Sequence, residues 1–155
     1  MLFEGSQSFS LGIAESKLFQ ASIVVEDHWY GRIWAQPAEC QVKKCDSPYT
    51  VAVFKFEGED KEDQYYVSIA EGFNRPIKIQ PTTSNHRCKS SLCHANINHH
   101  CPPTHQVKND QGAVVACKSS PELFQKLCPD AIASETDEVM NTLTCRSNTY
   151  LVLIG

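Results

Sequence analysis

The sequence lacks three features that would assign it at once to a familiar class of protein. Its apolar runs, such as LVLI at 151–154, are far too short to cross a bilayer as a helix. It contains no C-x-x-C motif, and its 14 basic residues are scattered among 18 acidic ones, with Lys43 and Lys44 as the only adjacent basic pair. These absences argue against a membrane-spanning helix, a dithiol redox centre and a surface that follows a nucleic-acid backbone.

The composition is that of an ordinary globular protein. With 155 residues, 41% of them hydrophobic and 21% charged, and a net charge of -4, the chain predicts one soluble domain with one core. Met1 is followed by neither a basic segment nor an apolar one, so no signal peptide is visible. Either a leader has been removed or the chain is truncated, and the sequence leaves both alternatives open.

Eight cysteines form the most unusual part of the composition. An even number at this density favours four disulfides formed in an oxidising compartment, although sequence alone suggests only local pairs such as Cys40 with Cys45. Zinc is the alternative, because six possible ligands lie within thirteen residues: Cys93, His94, His99, His100, Cys101 and His105. Their spacing does not form the two close ligand pairs of a structural zinc site. We therefore predict no metal and no other cofactor.

Alternating apolar and polar residues predict a chain made mainly of half-buried strands. The segments concerned are 8–13, 31–35, 49–56, 65–70, 77–80, 113–117 and 148–154. Gly72 with Asn74 predicts a turn, and Gly112 predicts a hairpin. One short helix is predicted in SSPELFQKLCP, with Ser119 as its N-cap and Pro129 as its end.

Four ordered motifs resemble the thaumatin-like proteins, the pathogenesis-related family that includes thaumatin and osmotin. They are YGRIWAQPAEC, YYVSIAEGFNRPIKI, ACKSS and CPDA. The resemblance runs from about Ser6 to the end and implies an all-β fold, a β-sandwich with a small disulfide-rich loop lobe. It also implies one domain over 1–155, with 1–86 and 139–155 in the sandwich and 87–138 in the loop lobe. The family's opening strand is absent, so we interpret the chain as a shortened form.

The resemblance also implies how the cysteines pair. Carried over to this sequence, the family's bridges are Cys40 with Cys45, Cys88 with Cys145, Cys93 with Cys128, and Cys101 with Cys117. The cysteine of the family's opening strand and its partner in the last strand are both absent, which keeps the number of cysteines even.

Members of the family carry a cleft lined by one arginine and four acids, associated with binding or weakly hydrolysing β-1,3-glucan. Val53, Tyr66 and Glu71 stand where the family has three of these acids, so that only Glu71 remains acidic among them. In the CPDA region Asp130 is retained, and Asp137 or Glu138 is the candidate for the last acid. The predicted ligand-binding residues are Arg32, Tyr66, Glu71, Phe73, Asp130 and Asp137, and no catalytic residue is predicted. The aromatic residues expected to border the cleft are Trp29, Tyr30, Tyr65, Tyr66 and Phe73, while Trp34 and Phe54 are expected in the core.

These residues imply a secreted, defence-related monomer that binds β-1,3-glucan or another cell-wall polysaccharide. We expect it outside the cell or in the cell wall, with no nucleic-acid partner and no integral membrane association. Three alternatives remain: an inhibitor of a microbial glycan-degrading enzyme acting through the loop at 94–107, a weak endo-β-1,3-glucanase, and a degenerate copy without activity. Glycoside hydrolysis requires two suitably placed carboxyl groups, so the lost acids disfavour the glucanase.

Overall fold

The computed structural model describes residues 2–3, 20, 22–37, 40, 45, 48–57, 61–83 and 87–155. Short strands dominate these residues, joined by 3-10 turns at Ile97–His100, Pro103–His105 and Glu135–Asp137. The strands are β1 (Leu2–Phe3), β2 (Tyr30–Trp34), β3 (Val51–Lys55), β4 (Asp63–Ser68), β5 (Ile77–Pro81), β6 (Ser91–Cys93), β7 (Gln106–Lys108), β8 (Val114–Cys117), β9 (Leu143–Cys145) and β10 (Tyr150–Ile154). The helices are α1 (Pro121–Leu127) and the single turn α2 (Glu138–Asn141).

The strands form two sheets that face each other and a separate hairpin. The larger sheet has the order β1-β2-β3-β4-β9, the smaller has the order β10-β5-β6, and β7 pairs with β8. Strand β4 packs against β5 and β6. Buried side chains of both sheets, such as Phe54 and Tyr65 from one and Ile77 and Ile79 from the other, share one hydrophobic core. The fold is therefore mainly β and is consistent with the predicted thaumatin-like sandwich.

Most of the strands expected from alternation are present within the described residues, but one expectation about burial is wrong. Val51, Ala52, Val53 and Phe54 are all buried, whereas the sequence predicted a half-buried strand. The reason is position, because β3 lies between β2 and β4 at the centre of the larger sheet. The strand expected at 8–13 lies outside the described residues.

The predicted helix is present as α1, but its cap differs from the prediction. Ser120, not Ser119, occupies the N-cap position, and its side chain makes no capping hydrogen bond. Pro121 lies in the first turn, where a missing backbone N–H costs nothing. The helix ends when the backbone N–H of Cys128 donates to the carbonyl of Phe124, one residue before Pro129.

Four disulfides connect the elements, in the pairs that the family resemblance implies. Cys88 with Cys145 joins the segment before β6 to the end of β9, and therefore ties the two sheets together. Cys93 with Cys128 joins β6 to the end of α1, and Cys101 with Cys117 joins the 3-10 turns to β8. Cys40 with Cys45 closes a local loop. The division of the chain into a sandwich and a loop lobe stays a prediction.

Candidate functional site

One face of the larger sheet points away from the core and carries several of the predicted site residues. Strand pairing aligns Arg32 with Val53 and Val53 with Tyr66, so these three side chains form a row across β2, β3 and β4. Directly paired residues of antiparallel strands lie on the same side of a sheet, and side chains alternate along each strand. We call this side the outer face, defined by Tyr30, Arg32, Trp34, Val53 and Tyr66.

Arg32 and Glu71 form an ion pair at one end of this row. Their side-chain nitrogen and oxygen lie 3.6 Å apart, and the side chains are 32% and 68% exposed. Because water surrounds much of the pair, the contact contributes little to folding, roughly 1 kcal/mol or less. The pair therefore places one donor group and one acceptor group side by side at the protein surface.

Asn74 fixes the turn that carries Glu71, although the sequence predicted it only as a turn residue. Asn74 accepts a hydrogen bond from the backbone N–H of Thr50 at 3.0 Å and donates from its amide nitrogen to the carbonyl of Ala35 at 2.8 Å. The Thr50 hydroxyl in turn accepts from the backbone N–H of Asn74. Asn74 thus links the turn to the end of β2 and the start of β3, which are the strands that support Arg32 and Val53. Because the partners lie far apart in the sequence, no local sequence pattern predicts these hydrogen bonds.

Tyr66 lies at the other end of the row and is half-buried. Burial raises the pKa of its phenol above 10.0, the nearby charges of Glu138 and of Tyr30 raise that pKa further, and Arg32 lowers it. Tyr66 therefore stays protonated at physiological pH, and its hydroxyl can serve as a hydrogen-bond donor. Glu138 begins the short helix α2 and is exposed, and its charge is near enough to act on the Tyr66 phenol.

Two further aromatic side chains complete the outer face. Tyr30 is 61% exposed at the start of β2. Trp34, expected in the core, is instead half-buried and stacks on Tyr49 with ring centroids 6.4 Å apart. Its position follows from alternation with Arg32 along β2, a signal that was present in the sequence. Phe54, the other residue assigned to the core, is buried there as expected.

Three aromatic residues expected to border the cleft face the core. Phe73 is fully buried, and its backbone exchanges hydrogen bonds with Cys117, so its ring does not reach a surface ligand in this structure. Tyr65 is also fully buried and donates its hydroxyl to the carbonyl of Lys89. Trp29 packs on Phe54 and Phe56. Trp29, Tyr65 and Phe73 are therefore not part of the outer face.

The two aspartates of the predicted site occupy different environments. Asp137 is buried and accepts hydrogen bonds from the backbone N–H groups of Ala133 and Ser134, both at 3.1 Å, and from the side chain of Gln125. These contacts give it a structural role in the capping box of the 3-10 turn Glu135–Asp137, whose N-cap is Ser134. Asp130 is exposed in the turn that follows α1. The carboxylate of Asp137 is thus occupied by contacts within its own segment and with α1.

The histidine-rich segment forms a separate exposed surface. One 3-10 turn, Ile97–His100, lies between Cys93 and Cys101, and the other, Pro103–His105, lies between Cys101 and β7. Ile97 anchors the first turn with a fully buried side chain. Most of the polar side chains point to solvent, including those of His94, His99 and His100. In the part of the chain that the structure describes, no three histidines, cysteines or acids are arranged to hold a metal ion. None of its helices is long and apolar enough to cross a membrane.

The sequence is similar to those of several known proteins. The sequence matches the Thaumatin family over residues 36–126. It is 27% identical to thaumatin-like protein 1b of Malus domestica, over 80% of this chain and 81% of that protein. It is 29% identical to a glucan endo-1,3-beta-glucosidase of Prunus avium, over 76% of this chain and 67% of that protein. Pathogenesis-related protein 5 of Arabidopsis thaliana is 28% identical, over 79% of this chain and 69% of that protein.

Proposed function

The chain belongs to the thaumatin family, and from this premise we propose that it is an extracellular, defence-related protein that binds β-1,3-glucan or a similar cell-wall polysaccharide on its outer face. A relative named as a glucan endo-1,3-beta-glucosidase and another named as pathogenesis-related support the ligand class and the setting. Four disulfides support the location, because such frameworks form and persist in oxidising compartments.

The observation that carries the proposal is the row of Arg32, Val53 and Tyr66 across the outer face. A sugar ring presents an apolar face and a rim of hydroxyl groups, so it needs an aromatic surface beside donors and acceptors. Tyr66 supplies the ring, and the Arg32–Glu71 pair supplies a donor and an acceptor within the same patch. Tyr30, exposed at the start of β2, offers a second ring for a neighbouring sugar unit.

We propose binding without hydrolysis. Cleavage of a glycosidic bond needs one protonated carboxylic acid and one ionised carboxylate at a defined separation. The row contains no acid, since Val53 and Tyr66 occupy its centre and one end, and Glu71 is engaged with Arg32. Release of reducing sugar from laminarin by the purified protein, abolished by Glu71→Gln or Glu138→Gln, would contradict this part of the proposal.

A pull-down on insoluble β-1,3-glucan tests the binding. Tyr66→Ala should weaken binding about tenfold, since losing one stacked ring costs roughly 1 kcal/mol or somewhat more. Tyr66→Phe is the matched control, because it keeps the ring, removes only the hydroxyl and should retain most of the binding. Equal binding by the native protein and Tyr66→Ala, with unchanged melting temperatures, would rule out the outer face as the binding surface.

A second function is supported by the shape of the segment 94–105. Two disulfides and the buried side chain of Ile97 hold its exposed histidines on short turns. A preorganised loop loses little conformational freedom on binding, which suits a segment that plugs the active site of another protein. We therefore keep inhibition of a microbial glycan-degrading enzyme as the alternative. Inhibition lost in the double variant His99→Ala/His100→Ala but kept in Tyr66→Ala would favour it over glucan binding.

A further inference from the structure

A partly buried asparagine ties the histidine-rich segment to the turn that carries Glu71. Asn98 lies in the 3-10 turn Ile97–His100 and donates from its amide nitrogen to the backbone carbonyl of Asn74 at 3.1 Å. A carbonyl only accepts hydrogen bonds, so the amide nitrogen of Asn98, and not its oxygen, must face it. The amide oxygen is buried and, among the residues that the structure describes, makes no hydrogen bond.

This unpaired oxygen costs the fold stability. A buried acceptor without a partner loses its hydration and gains no hydrogen bond in return. If Asn98 served stability alone, an apolar side chain of similar shape would remove that cost. The amide group instead supplies a fixed contact between two segments that are distant in sequence. Such an exception to full pairing is typical of a residue that is kept for the position it imposes.

The chain on the far side of Glu71 is held by backbone contacts. The N–H of Gly72 donates to the carbonyl of Ile69 at 3.0 Å and closes the turn. Phe73 exchanges backbone hydrogen bonds with Cys117, at 2.9 Å and 2.8 Å. Glu71 therefore projects from a turn whose outgoing limb is paired with the end of β8.

Asn98 holds the same limb from the histidine-rich segment. The disulfide between Cys101 and Cys117 connects that segment to the end of β8, and Ile97 anchors it with a fully buried side chain. The hydrogen bond from Asn98 to Asn74 thus joins the outgoing limb to a part of the chain that is itself fixed by a covalent bond and by core packing. The sheet holds Asn74 from the other side, so the limb is supported from two directions.

We propose that Asn98 is a positioning residue that, through Asn74, keeps the Glu71 carboxylate beside its guanidinium partner on the outer face. The inference rests on the proposed function in one respect, because it takes the Arg32–Glu71 pair as a contact for sugar hydroxyl groups. The pair itself, with its atoms 3.6 Å apart, forms without any ligand. The position of the pair and the binding of glucan can therefore be measured separately.

Two measurements on the intact, oxidised protein test the proposal. The NMR signal of the Arg32 Nε–H group reports on the ion pair without any ligand, and calorimetric titration with soluble laminarin reports on binding. Asn98→Ala should shift the Arg32 signal and weaken laminarin binding about threefold to tenfold. Asn96→Ala should change neither. It is the matched control, because Asn96 is an exposed asparagine of the same segment whose amide nitrogen faces the His99 ring at 3.4 Å.

A double-mutant cycle separates positioning from a general loss of structure. If Asn98 acts through Glu71, Asn98→Ala should weaken laminarin binding no further once Glu71→Ala is present. The same substitution should still weaken binding in the Tyr66→Ala background, because Tyr66 lies on β4 and is held by strand pairing.

Three results would overturn the proposal. They are a native Arg32 signal and native affinity in Asn98→Ala, equal losses in Asn98→Ala and Asn96→Ala, and a full further loss when Asn98→Ala is added to Glu71→Ala. A native protein that binds no laminarin, although Asn98→Ala shifts the Arg32 signal, would refute the proposed function and support the positioning role. If Asn98→Ala fails to fold, Asn98→Leu keeps a similar shape, removes the amide and must produce the same shift.

Discussion

Removing the disulfide between Cys88 and Cys145 should cost more stability than removing any other bridge. The two cysteines are separated by 57 positions in sequence, against 5 for Cys40 and Cys45. A cross-link stabilises mainly by restricting the unfolded chain, and the effect grows with the logarithm of the loop that it closes. The expected losses are about 4 kcal/mol for the long loop and about 2 kcal/mol for the short one.

Burial adds to the difference between the two bridges. Cys145 is 1% exposed within the core, so deleting its sulfur removes packing as well, at a cost of up to about 1 kcal/mol. Domains of this size are stable by roughly 5–15 kcal/mol in total. Loss of the long bridge therefore removes about a third or more of the total stability, whereas loss of the short one removes a smaller share.

Urea unfolding of the double variants Cys88→Ala/Cys145→Ala and Cys40→Ala/Cys45→Ala measures both losses. The dependence of the unfolding free energy on urea should also steepen in the first variant, because its unfolded chain exposes more surface. Each variant keeps an even number of cysteines, so neither leaves a free thiol. If the short-bridge variant loses as much stability as the long-bridge variant, the chain-entropy reasoning is wrong.

Three further predictions concern the core and its turns. Tyr150→Phe removes a hydrogen bond of 2.7 Å to the Asp63 carboxylate and should lower the unfolding free energy by about 1–3 kcal/mol, measured in urea at neutral pH. Burial raises the pKa of Asp63 above 3.8 in the folded protein. The contribution of this carboxyl group to stability is therefore fully present below pH 3.8 and is lost as the pH rises through its pKa in the folded protein. Asp63→Asn should flatten the dependence of the unfolding free energy on pH in this acidic range. Gly72 has a φ of 129°, and a Cβ added there would lie 2.0 Å from a side-chain carbon of Pro48. Gly72→Ala should therefore lower the melting temperature far more than Gly112→Ala, because a Cβ added at Gly112 meets nothing within 4 Å.

The strands and the helix were predictable because their signals are local. Alternation in GRIW and the turn residues Gly72 and Gly112 mark β2, the turn after β4 and the β7–β8 hairpin without any knowledge of the partners. Pro121 and Pro129 bracket α1 in the same way. The predicted N-cap was wrong by one residue, because Ser119 and Ser120 are adjacent residues of the same type and both suit the N-cap position.

The candidate site was less predictable because it depends on which side of a strand faces the core. Tyr65 and Tyr66 are neighbours of the same type, and only pairing with β3 shows that Tyr65 is buried while Tyr66 lies on the outer face. Phe73 was misplaced for a related reason, because its backbone pairs with Cys117, which is distant in sequence. The role of Asn74 in linking segments was not predicted, because its partners Thr50 and Ala35 lie on two other segments of the chain.

The apolar centre of the outer face follows from how β3 is packed. Val53 is only 5% exposed and lies between Arg32 and Tyr66. A carboxylate at this position would lose most of its hydration, which costs several kcal/mol unless a charged partner compensates for it. Arg32 is the nearest charged candidate in the row, and it already contacts Glu71. Replacing Val53 by glutamate would therefore make two acids compete for one guanidinium. An apolar residue at position 53 is thus compatible with an intact Arg32–Glu71 pair on the outer face.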